Sequence, residues 1–171
     1  MAMLNILILL SSIVALGDFS ALGNSNLVDE QEDWGCGRSY PSGWTRHNSH
    51  CYIYDNTART WSQAEQYCLS LGGNLVSIHN AGENEAVKDV VFRATNSNPA
   101  IWIGGSDLYE TKVWFWSDGT TFDYSNWSSG EPNNGRGGIE HCGQTNYKGA
   151  GYWNDRTCES RLPCVCKLRH H

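Results

Sequence analysis

With 171 residues the chain has room for one domain with a sizeable core and too little for two comfortable ones. Its 18 acids outnumber its 12 Lys and Arg, giving a formal charge of −6; with no basic stripe to neutralise phosphates, nucleic acid is excluded as the expected partner.

In chain order, residues 4–16, LNILILLSSIVAL, come first: apolar, uncharged and too short to span a bilayer. The run has the length of a signal-peptide core, and small residues follow it, so residues 1–17 are read as a secretory signal. No Lys or Arg precedes it, and a buried N-terminal helix is the alternative. No other segment is apolar over a membrane-spanning length, so no membrane span is expected. Residues 18–33 are polar and end in Asp29, Glu30, Glu32 and Asp33, which reads as a solvated acidic linker. From Trp34 the composition turns aromatic and cysteine-rich, and the folded domain is expected over residues 34–169.

Thr60 with Gln63 three residues on is a capping box. Trp61, Ala64, Cys68 and Leu71 then recur at helical spacing until Gly72-Gly73 stops the run. NLVSI (74–78) reads as a short strand. A second helix starts near Asn80 with Glu83 beyond it, buries Ala86 or Val87, Val90, Val91 and Ala94, and ends by Asn98-Pro99. After Pro99, AIWIGG, KVWFWSDG and the final LPCVCKL are β-like runs between Gly, Asp and Ser turns, while residues 117–152 show little regular pattern. Helices between strands, followed by strands and long loops, make an α+β domain. Trp61, Trp102, Trp114, Trp116, Trp127 and Trp153 are expected in its core. No Ser-His-Asp or Cys-His arrangement stands out, and the chain is read as non-enzymatic.

Secretion makes Cys36, Cys51, Cys68, Cys142, Cys158, Cys164 and Cys166 candidate disulfides, and the absence of a C-x₂-C pair argues against a zinc knuckle. Seven is odd, so at least one thiol is free or bonded to another chain.

The run GEPNNGRGGIEHC (130–142) collects acids, amides and glycines in one loop. Calcium takes about six to eight oxygen ligands from carboxylates, amides and backbone carbonyls. Glu131, Asn133, Glu140, Asn154 and Asp155 supply that mixture, and with the Asp155 carbonyl the count reaches about six, leaving about two positions open. Two vicinal sugar hydroxyls suit such positions: each gives a lone pair to the ion, donates to a carboxylate and accepts from an amide. Asn126-Trp127-Ser128 fits an N-glycosylation sequon.

CYIY (51–54), the helix carrying Cys68, WIGG (102–105), EPN (131–133), EHC (140–142), WND (153–155) and the Cys158…Cys166 spacing together resemble a C-type lectin domain over roughly residues 34–168. WIGGSD and WFWSDG look particularly like the secreted single-domain lectins and lectin-like antifreeze proteins of fish. The resemblance implies a C-type lectin-like fold of two helices, short antiparallel sheets and long calcium-binding loops, held by Cys36–Cys51, Cys68–Cys166 and Cys142–Cys158. Cys164 has no counterpart in it and is either a buried free thiol or an interchain bond making a disulfide-linked homodimer. The resemblance also implies a cis bond before Pro132, turning Glu131 and Asn133 to one side. It implies one Ca2+, bound with its sugar by Glu131, Asn133, Glu140, Asn154 and Asp155. A second ion would use Asp107 and Glu110 with acids at 134 and 141, where Asn134 and His141 stand instead. Glu-Pro-Asn resembles members favouring mannose-type sugars, and the expected partners are glycans on microbial or host surfaces, as in innate immunity. A galactose-binding lectin, an ice-binding protein and a venom or matrix protein using the scaffold for protein contacts are the alternatives.

Overall fold

The computed structural model of the chain describes Cys36, residues 43–135, Gly137 and residues 139–168. The signal peptide and acidic linker expected over 1–17 and 18–33 lie outside the described residues, as do Arg136 and Gly138. The elements run β1 (Thr45–His47), β2 (His50–Arg59), α1 (Trp61–Ser70), β3 (Gly73–Leu75), α2 (Ala81–Thr95), β4 (Ile101–Ser106), β5 (Phe115–Trp116), β6 (Cys142–Tyr147), β7 (Tyr152–Arg156) and β8 (Leu162–Leu168).

Helix α1 starts where its capping box dictates. Thr60 Oγ1 accepts from the Gln63 N–H at 3.4 Å, and Gln63 Oε1 accepts from the Thr60 N–H at 3.3 Å. Such a cap stabilises a helix by about 1 kcal/mol. The helix stops at Gly72, whose φ of +81° is left-handed. Asn80 caps α2 by accepting from the Glu83 N–H at 2.9 Å. That helix ends at Thr95 because Asn96 adopts a left-handed φ of +52° and donates its N–H to Phe92 O. The core face of α2 is Asn84, Ala86, Val87, Val90 and Val91. Ala94, expected on it, is exposed, as are Phe92 and Arg93 beside it in the last turn.

All eight strands join one sheet, ordered β1-β2-β8-β4-β6-β7, with β3 also on β8 and β5 on β4. The pairings are antiparallel except β4 with β8, which run parallel at Trp102 and Cys164. Alternate residues face opposite sides of a strand, and the core divides accordingly. Ile101, Ile103 and Val165 pack with α2 in one layer. Trp102, Cys164 and Cys166 pack with Trp61, Ala64 and Cys68 of α1 in the other. Of the tryptophans expected inside, Trp61, Trp102, Trp116 and Trp153 are buried, while Trp114 and Trp127 are half-buried and packed together, ring centres 4.6 Å apart.

Three regions depart from the sequence pattern. Of the strand expected over 74–78 only Asn74 and Leu75 pair in the ladder, joined by Gly73 before them; Val76 instead donates to Val165 O and accepts from the Gly104 N–H. The KVWFWSDG run keeps two residues of strand. Conversely, strand β6 lies inside the 117–152 stretch that shows no pattern and forms a hairpin with β7, which begins at its end. Its β6 strand buries Gly143, Gln144, Thr145 and Asn146, so no apolar alternation marks it.

Disulfides join Cys36 to Cys51, Cys68 to Cys166 and Cys142 to Cys158. Cys164 is a free thiol with 0% exposure. Its sulfur lies between α1 and the sheet, so the interchain bond considered for it would require this layer to open.

Candidate functional site

The site grows from Trp153. Its indole Nε1 donates to Asn84 Oδ1 of α2 at 2.8 Å. It is ringed edge-on by Trp116, Phe122, Tyr124 and Trp127 at 5.6–6.2 Å. Its backbone N–H donates to Asn126 O and its carbonyl accepts from the Ser128 N–H. The start of the long loop is thus stitched to β7, and the next two residues of β7 are Asn154 and Asp155. Asn126, the sequon residue, spends its amide on Gly151 O at 3.0 Å.

Asp155 is 1% exposed and holds the tip of the loop. Its Oδ1 accepts from the Asn133 N–H at 3.0 Å and its Oδ2 from the Asn134 N–H. The Glu131–Pro132 bond is cis, and Asn133 Nδ2 reaches back to Glu131 Oε2 at 2.6 Å. Asn134, at a left-handed φ of +58°, accepts the Glu140 N–H on its Oδ1 at 2.9 Å, which closes the far side of the loop. Gly135 suits this position on two counts. Its φ is +57°, and a Cβ there would lie 2.6 Å from Glu140 Cδ. Asn154 is 8% exposed and its amide donates to the Asp155 carbonyl.

Glu131, Asn133 and Asp155 are therefore in direct or one-bond contact, and Glu140 is brought to the same side by Asn134. The side-chain oxygens of Glu131, Glu140 and Asp155 do not all come within 4.8 Å of one another, as the sulfurs of Cys68, Cys164 and Cys166 do. Their charges nonetheless interact. Partial burial, then contact with Asp155, pushes the Glu131 carboxyl above its ordinary range, with Glu140 adding to the rise. Burial and Asp155 likewise push Glu140 up, opposed by the nearby Arg156. All the side chains here offer oxygen, and three are acids, so the set fits a hard divalent cation such as calcium and carries no soft ligand.

The residues of the second ion site are arranged differently. Asp107, 3% exposed, has Oδ1 2.9 Å from His141 Nδ1 and Oδ2 accepting from the Lys112 N–H at 2.6 Å. Glu110 is exposed. Both Asp107 oxygens are taken by protein donors, His141 serving as one when Nδ1 carries its proton.

Sequence reasoning missed Asn84, whose place on an apolar helix face was masked by the valines beside it. It also missed the bond from His141 to Asp107, for which 34 residues of separation leave no local signal.

Residues 57–168 match the Lectin C-type domain. Ladderlectin of Oncorhynchus mykiss is 44% identical over 123 residues, 72% of this chain and 64% of ladderlectin, so the match spans a little under two thirds of that relative. The galactose-specific lectin nattectin of Thalassophryne nattereri is 39% identical over 128 residues, 75% of this chain and 79% of nattectin. Among solved structures, herring type II antifreeze protein superposes with a TM-score of 0.69 at 30% identity, covering 77% of this chain and 99% of that one.

Proposed function

Because the chain belongs to the C-type lectin domain family, we propose that it is a secreted, non-enzymatic lectin that binds sugar through one calcium ion. Glu131, Asn133, Glu140, Asn154 and Asp155 would hold the ion, which when bound supplies Lewis-acid coordination to two sugar hydroxyls. The observation that carries this reading is the cluster of Glu131, Glu140 and Asp155, in which burial and then mutual repulsion raise two carboxyls, opposed at Glu131 by the Asn133 N–H and at Glu140 by Arg156. A fold tolerates such crowding where a cation is to be held.

Beside the ion, each acid would accept a hydroxyl proton and each amide would donate to a hydroxyl oxygen, with Glu131 paired to Asn133 and Glu140 to Asn154. For that, Asn133 must turn its amide from Glu131, and Asn154 its amide from the Asp155 carbonyl, toward ligand. The Glu-Pro-Asn order supports a mannose-type preference, and glycans on microbial or host surfaces are the partners, in an innate-immune role. Two other readings have a specific footing: the similarity to nattectin favours galactose, and the similarity to herring antifreeze protein favours ice.

The test is retention on mannose-agarose in calcium and elution with EDTA, with galactose-agarose in parallel. Calcium-dependent retention on mannose is the expected result. Retention on galactose alone keeps the lectin and discards the mannose preference. Flow-through on both, from protein that binds calcium, overturns the sugar reading, and ice-recrystallisation inhibition then tests the antifreeze one.

A further inference from the structure

Cys164 and Cys166 are alternate residues of β8, so both side chains leave the same face of the sheet. Both lie in the core layer that contains Cys68 of α1. The three sulfurs are all within 4.8 Å of one another, and all three residues are 0% exposed. Cys68 is bonded to Cys166, with Cα atoms 5.3 Å apart, and Cys164 is a free thiol against that bond. We propose that Cys68 has two interchangeable partners on β8, and that the Cys164 thiol is the built-in nucleophile that exchanges a Cys68–Cys166 bond for a Cys68–Cys164 bond.

The exchange needs no oxidant or reductant. Cys164 gives up its proton to water, and its thiolate attacks Cys68 Sγ. A Cys164–Cys68 bond forms as the Cys68–Cys166 bond breaks, the electron pair leaves on Cys166, and Cys166 takes up a proton. A small external thiol that attacks Cys68 and displaces Cys166 is met by the same device: either neighbouring thiol can expel it and reclose the clasp between α1 and β8. Burial pushes the Cys164 thiol up to about 12. The charges of Asp55 and Glu65 add to the rise and Arg59 opposes it, while Tyr54 and Tyr67 lie close enough to sense the thiol. The thiolate is therefore scarce at neutral pH. Exchange proceeds when this layer opens or the medium turns alkaline.

Two experiments decide it. In Cys166→Ser the expected protein has no free thiol after denaturation, and a non-reduced digest contains a Cys68–Cys164 crosslink. Two free thiols in a folded Cys166→Ser protein overturn the proposal. Should that variant fail to fold, the wild type decides. It is held at pH 9 with catalytic mercaptoethanol, quenched in acid, alkylated in denaturant and digested with trypsin. Fragmentation of the 162–167 peptide then shows which sulfur was free. Label on both Cys164 and Cys166 is expected, against label on Cys164 alone before the alkaline step. Label confined to Cys164 throughout overturns the proposal.

Discussion

Two acidic groups flank strand β6, and the fold treats them in opposite ways. On the β4 side Asp107 is almost fully buried, yet its two oxygens are matched by His141 and by the Lys112 N–H. On the β7 side Asp155 is equally buried and spends its oxygens on the N–H groups of Asn133 and Asn134, but Glu131 and Glu140 crowd it with further negative charge. A buried carboxylate with its own donors is a closed structural unit. Carboxylates raised by one another are an arrangement completed from outside. The contrast is therefore what separates a structural acid from a proposed ligand here, and acid count alone would not have made it.

The strongest way to break that contrast is Asp155→Ala. It removes a proposed ligand and also releases the tip of the loop, so calcium affinity should fall by about 100-fold or more in titration calorimetry. Near-normal affinity would mean that Asp155 is only a loop anchor. Glu131→Gln should act more mildly and with two signs. Calcium affinity drops about 10-fold, because one charge is lost from the ligand set. The melting temperature in EDTA rises instead, since repulsion of a solvent-screened carboxylate is relieved by about 0.5 kcal/mol, or roughly 1–2 °C for a chain of this size. A fall in EDTA as well would show that Glu131 is held by favourable contacts and that the crowding is illusory.

Acid should sharpen the same point. Glu131 and Glu140 have carboxyls raised above their ordinary range. In the ion-free protein their contribution to stability is therefore fully present below the unfolded-state value and is lost as pH rises through the raised one. Calcium needs both ionised, so the stabilisation it confers grows over that same interval. The difference in melting temperature between calcium and EDTA should be largest near neutrality and vanish as pH falls through the carboxylate range. A difference that does not change with pH would place the ion elsewhere.

How much of this could be read from the chain varies by region for identifiable reasons. Helix α1 was legible because its cap, its apolar spacing and its glycine stop are all local. Strand β8 was legible from its continuous run, Leu162–Leu168. The β6–β7 hairpin was not, because β6 buries the polar residues Gln144, Thr145 and Asn146, with Thr145 Oγ1 donating to Gly151 O and the Asn146 amide to Pro99 O, so no apolar alternation marks the strand. Within the site, residue types pointed to oxygen ligation, while the hold of Asn84 on Trp153 joins residues 69 positions apart. Cys164 could not be placed in core or interface from the sequence, and the fold puts it in the core.

The smallest expected effect tests whether the two acidic groups are independent. His141 adjoins Glu140 in sequence, yet its imidazole turns to Asp107 on the other side of β6. Replacing it by alanine leaves Asp107 with one donor fewer in a buried position, a loss of about 1–2 kcal/mol and roughly 3–6 °C in melting temperature for a chain of this size. Calcium affinity should change by less than about 3-fold, because no charge leaves the ligand set. A double-mutant cycle with Asp107→Asn isolates the pair, and a coupling of about 1 kcal/mol is expected for residues in direct contact. If His141→Ala instead weakens calcium as much as Glu131→Gln does, the imidazole positions Glu140, and the closed cluster is part of the open one.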